Sequence, residues 1–176
     1  YALVPGSSAL DAVLETTTAA DGGFVSGYAE SGSIISSQNG ARAGGLMIST
    51  VDTAVIEASG RGSFAYGSNN GQSGDILASG NGSFAFGEIS IFHDIEASGR
   101  GAIAMGRSNG GAIVASAENS VQFGVGTNAI ADSLKVGGGV QLYSSGQADV
   151  PGLLNGSGGR IKNTRRTVAN PTTIAD

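Results

Sequence analysis

The chain has 176 residues with 31 glycines, 3 prolines, no tryptophan and no cysteine, a length that suits one domain and a composition that excludes collagen, a proline-rich linker, a disulfide framework and thiolate chemistry. Nine basic residues against fourteen acidic give a net charge of −5, which argues against general nucleic-acid binding. No apolar run approaches the ~18 residues of a membrane span, so no membrane insertion is expected.

Residues 1–23 read as a leader. Tyr1 is not an initiator methionine and no signal-peptide pattern comes after it, so the chain reads as a piece of something longer. Leu10, Val13 and Leu14 have helical spacing, with Asp11 and Glu15 on a polar side. That predicts a short N-terminal helix, either a three-chain contact or a cap on the adjoining segment.

From 24 to 137 a ten-residue unit returns. It reads ASGRGSFAYG at Ala58–Gly67, ASGNGSFAFG at Ala78–Gly87, ASGRGAIAMG at Ala97–Gly106 and ASAENSVQFG at Ala115–Gly124. Two residues before each copy stands an isoleucine: Ile56, Ile76, Ile95 and Ile113. The closing glycines fall 20, 19 and 18 residues apart. A weaker copy, Ile34–Gly45, precedes them and departs at Arg42 and Gly44, and a truncated one, Ser133–Gly137, comes last. A period near twenty marks a solenoid, in which each coil stacks on its neighbours. Apolar residues at every second position predict two short strands per coil, around Asp75–Ser79 and Ser83–Phe86, joined at the Gly80-Asn81-Gly82 corner. The expected fold is all-β: a parallel β-solenoid, or β-roll, with coils of about 19 residues.

Alternation also predicts which residues face inward. The expected core columns are Ile56, Ile76, Ile95 and Ile113; Phe64, Phe84, Ile103 and Val121; and Tyr66, Phe86, Met105 and Phe123. The intervening Ala65, Ala85 and Ala104 are then expected to face outward, where small residues let the backbones of other chains come close. On that reading Phe84→Asp breaks the stack and Ala85→Arg blocks assembly. Few large side chains remain per coil to offset the ordering of some twenty residues, so association is expected.

Residues 138–159 are a Gly/Ser-rich transition with a predicted strand at Val140–Tyr143, and 160–176 read as the start of a truncated C-terminal β module. Arg160, Lys162, Arg165 and Arg166 cluster there. Pairing with acidic groups of neighbouring chains, or folding with downstream residues, is expected of them rather than phosphate binding.

The ASGxGSxAxG units, with isoleucine before and glycine after, resemble the β-roll repeats of trimeric autotransporter adhesin heads. They resemble still more the repeats in trimeric tail fibres of phages and large viruses. Ser8–Gly23 (SALDAVLETTTAADGG) is similar to the leader of such fibre proteins, and Ile161–Ala175 (IKNTRRTVANPTTIA) to the opening of their C-terminal modules. The resemblance implies an elongated homotrimer that presents a surface for host attachment.

Residues suited to catalysis or metal binding are few. His93 is the sole histidine, so no histidine pair forms within one chain, and an exposed turn residue is the expected role. Glu57 and Glu96 hold equivalent positions two coils apart, about 10 Å at strand spacing, at the edge of the range for glycosidase acids. No tryptophan is present to stack a sugar. The glycines open no phosphate-binding helix, and aspartate does not recur in every turn as calcium repeats require. The corner residues Arg61, Asn81, Arg100 and Glu118 form a row that is a candidate for surface recognition.

The sequence therefore predicts a non-enzymatic structural and host-attachment segment of a homotrimeric tail fibre, located in the virion. It is expected to need no cofactor and no metal. Its expected partners are copies of itself and a host-surface glycan or protein, without nucleic acid. A bacterial trimeric adhesin head, a glycan-cleaving spike and an end-stacked extracellular filament are the alternatives.

Overall fold

A computed structural model of the chain describes residues 12–16, 21–48, 53–70, 73–90, 92–137, 139–146 and 148–149. The regular structure among them is all β: β1 (Ala12–Thr16), β2 (Phe24–Ser36), β3 (Arg42–Ile48), β4 (Val55–Ala58), β5 (Phe64–Asn69), β6 (Ile76–Ala78), β7 (Phe84–Ile89), β8 (Ile95–Ala97), β9 (Ile103–Ser108), β10 (Ile113–Ala115), β11 (Val121–Phe123), β12 (Gly126–Asn128), β13 (Ser133–Val136), β14 (Val140–Tyr143) and β15 (Ala148–Asp149). The chain winds as a parallel β-solenoid of about 5 turns.

Each coil contributes one strand to each of two parallel sheets. The isoleucine sheet stacks β1, the C-terminal part of β2, β4, β6, β8, β10 and β12. The aromatic sheet stacks the N-terminal part of β2, then β3, β5, β7, β9, β11 and β13. β2 serves both sheets and turns between them beside Gly32, whose φ is 78°. Register obeys the sequence repeat: Ile34, Ile56, Ile76, Ile95 and Ile113 lie one above another. The parallel pattern then changes, as β14 pairs antiparallel with β13 and β15 antiparallel with β14.

A helix predicted across the Leu10–Glu15 stretch does not form at Ala12–Thr16, which is strand β1, with Leu14 opposite Ile34. A run this short cannot nucleate a stable helix alone, whereas the edge of β2 offers unpaired backbone groups to complete. Leu10 and Asp11 lie outside the described residues, as do 151–176 with the Arg160–Arg166 cluster.

The interior reverses half of the predicted pattern. Ile34, Ile56, Ile76, Ile95 and Ile113 are fully buried, and so are Ala65, Ala85 and Ala104, the residues predicted to face other chains. Their neighbours on the same strands, Phe64, Tyr66, Phe84, Phe86, Ile103 and Val121, are only part-buried, and Met105 and Phe123 are exposed. The roll is thin. The isoleucines of one sheet fill the space opposite the first half of the facing strands, which has room there only for small side chains such as Ala65, Ala85 and Ala104, so the large residues beside these alanines are turned to the outside. Further along, beyond the closing glycines, Met47 of β3 and Ile89 of β7 are buried.

Glycine is required where the isoleucines reach furthest. A Cβ on Gly87 (φ 154°) would lie 2.7 Å from Ile95 Cδ1 and 1.8 Å from the Gly106 carbonyl oxygen. The corners need glycine for a different reason. Gly82 has φ 65° and a free Cβ position, so left-handed backbone rather than space selects it. Its N–H donates to the Arg61 carbonyl of the preceding coil at 2.9 Å.

Candidate functional site

The outer face of the aromatic sheet carries two straight columns. Strand register places Arg42, Phe64, Phe84, Ile103, Val121 and Leu134 in one, and Gly44, Tyr66, Phe86, Met105, Phe123 and Val136 in the other. Stacking of coils stacks the rings: Phe64 and Phe84 are nearly parallel at 4.9 Å between centroids, and Tyr66 lies 6.3 Å from Phe86. Phe84 and Phe86 meet at 6.1 Å along one strand. The face extends onto the hairpin, where Leu134 pairs with Leu142. Met105, Phe123, Val136 and Leu142 are 40%, 37%, 46% and 41% exposed.

The two irregular residues of the first copy fit this face. The Arg42 guanidinium lies over the Phe64 ring, 5.6 Å from its centroid, a favourable cation–π geometry. Gly44 makes room for Tyr66: a Cβ there would lie 2.6 Å from Tyr66 Cε1. The Tyr66 hydroxyl reaches the Ser26 hydroxyl at 3.3 Å.

Arg61, Asn81, Arg100 and Glu118 form one exposed row at the corners. Asn81 Oδ1 accepts from the Arg61 N–H at 3.0 Å, and Arg100 Nε donates to Glu118 Oε1 at 3.0 Å. The side chains of Asn81, Arg100 and Glu118 thus tie neighbouring coils together.

The acidic residues do similar work. Asp75 Oδ1 accepts from the Val55 N–H at 2.8 Å and Asp94 Oδ1 from the Asp75 N–H at 2.9 Å, so each aspartate binds the coil before it. Burial pushes the Asp75 carboxyl above its ordinary value; the Val55 hydrogen bond opposes this, and the nearby Asp94 and Glu57 charges add to it. Glu57 and Glu96 stand half-buried on the outside of the isoleucine sheet, with Leu77 between them in register. His93 is exposed. Among the described residues no three His, Cys, Asp or Glu side chains gather where they could hold a metal ion.

The C-terminal coil escapes the repeat pattern. Its interior is polar: Gln122, Asn128, Ser133 and Gln141 are buried. Asn128 Nδ2 donates to the Val121 and Ser133 carbonyls at 2.9 and 3.1 Å, and Gln141 Nε2 to Ser133 Oγ at 2.8 Å. Gln122 Nε2 donates to the Gly124 carbonyl at 2.8 Å. The amide in VQFG, where earlier copies have alanine, was the available signal. Beside this plug Lys135 Nζ donates to the Thr127 carbonyl on the last rung of the isoleucine sheet at 2.8 Å.

In-register columns, coils near twenty residues and two parallel sheets make this a parallel β-solenoid protein. Comparison with family models, with curated proteins and with solved structures finds no match to the chain. Its function must accordingly be read from its surfaces.

Proposed function

We propose that the chain is a non-enzymatic structural and host-attachment segment of a homotrimeric tail fibre of a phage or large virus. The observation that carries this reading is the contrast between the two faces. From β5 to β13 one long side of the rod carries two apolar columns, while the other carries Glu57 and Glu96 among its outward residues. A rod with a single continuous apolar side suits lateral association around an axis, which leaves the opposite faces and the corner row free for a host-surface glycan or protein. The repeat's resemblance to fibre and adhesin-head units supports the same reading. The aspartates at the coil junctions, engaged with backbone N–H groups, fit a scaffold role.

Light scattering on the purified chain tests the assembly: a mass three times 17.2 kDa is expected. Retention of fluorescently labelled chain on bacterial cell envelopes tests attachment. A lone chain in dilute buffer that no envelope retains would sink the proposal.

A further inference from the structure

The apolar columns of the aromatic sheet need an occupant. Soluble monomers rarely leave more than a few hundred Å² of contiguous apolar surface bare. A large aromatic side chain carries about 200 Å², so about a dozen part-exposed side chains showing on the order of 60 Å² each amount to on the order of 700 Å². In a ring each copy divides this area between two neighbours, so the whole face, rather than any one contact, approaches the roughly 800 Å² that a partner gives to a stable protein interface. The margins of the face also have the composition of an interface rim. Glu88 and Arg107 pair at 3.4 Å, two register positions along from the second column and past Gly87 and Gly106.

We propose that this face is the seam on which copies of the chain pack against one another, rung by rung along the solenoid. The inference rests on the homotrimer reading and names its contact surface. The period identifies the occupant. The columns repeat at strand spacing, about 4.8 Å, over the whole stack, so a partner must present apolar groups at that spacing over the same length. Another copy does so with side chains already held by their own coil, so little side-chain ordering is added to the cost of association. A globular partner would match only a few rungs. The first column of one copy, Phe64, Phe84 and Ile103, then meets the second column of the next, Tyr66, Phe86 and Met105. A contact between two different patches closes into a ring when the rotation allows.

Three variants test this. Met105→Glu places a charge on an exposed position of the seam, and the species should fall from the wild-type multiple to a mass of 17.2 kDa with its β circular-dichroism spectrum retained. Met105→Cys is the gentler probe, because the chain has no cysteine of its own. A short bis-maleimide should link its copies covalently, and Leu77→Cys on the outside of the isoleucine sheet should remain unlinked. If the wild type is a multimer but Leu77→Cys links and Met105→Cys does not, the seam is wrong and the fibre reading survives. A wild type that is monomeric at every concentration overturns both.

Discussion

Asp75 shows how a single side chain couples the stack to pH. Its carboxylate accepts the Val55 N–H, yet burial and the charges of Asp94 and Glu57 disfavour the ionised form. A carboxyl whose folded pKa lies above its unfolded one contributes most to stability below the unfolded value, and that contribution is lost as pH rises through the folded value. Asp75→Asn keeps the Oδ1 acceptor and removes the charge. The variant is expected to be more stable than wild type at neutral pH, by at most ~1 kcal/mol, because the group is only half-buried and solvent screens its charge. The advantage should fade as pH falls towards the ordinary carboxyl value of 3.8. Urea melts of both proteins across that range check it; an equal gap at every pH would show that the charge is irrelevant. The position was legible in the sequence only as an aspartate recurring in two copies. Its acceptor role depends on Val55, twenty residues away.

Strands β5, β7 and β9 carry the main correction. Alternation in Ser83-Phe84-Ala85-Phe86 shows two faces, and a general preference for large apolar residues inside selects the wrong one. What decides is the opposite strand: Ile76 and Ile95 already fill the gap, so Ala85 has no exposure. The consequences of two substitutions exchange places. Ala85→Arg forces a long cation between the sheets and is expected to unfold the coil, at a cost above ~4 kcal/mol. Phe84→Asp, on the outer face, should leave a folded but dissociated chain. Far-UV circular dichroism and mass together separate the two outcomes. A folded Ala85→Arg protein would mean that the sheets are further apart than the buried isoleucines imply.

At the scale of the molecule the last described strands of the solenoid form an antiparallel hairpin instead of a further parallel rung. Parallel rungs could extend indefinitely, since each presents unpaired N–H and C=O groups to the next chain. Here β13 turns back through β14 and β15, the last described interior is a cluster of hydrogen-bonded amides, and Lys135 donates to the Thr127 carbonyl on β12, the outermost described rung of the isoleucine sheet. An inward or edge-bound lysine is a known means of blunting strand pairing. Discrete particles are therefore expected, with a mass that levels off as concentration rises, and electron micrographs should show no fibres of growing length. Fibres in the wild type would show that the hairpin and Lys135 do not block the edge. The hairpin was partly legible, as a strand at Val140–Tyr143. Its antiparallel return was not, because nothing in those four residues states which edge they pair with.

The sequence by itself determined the periodic architecture: coil length, strand type, the isoleucine column and the glycine corners. These are local requirements that each copy must restate in order to stack on the next. Which side of the second strand faces in, whether Ala12–Thr16 pairs as a strand, and where the parallel pattern changes were decided only by the tertiary structure. Each depends on the space left, or the backbone edge offered, by residues some twenty positions away, and such distances across a thin roll are set once all the coils are in place.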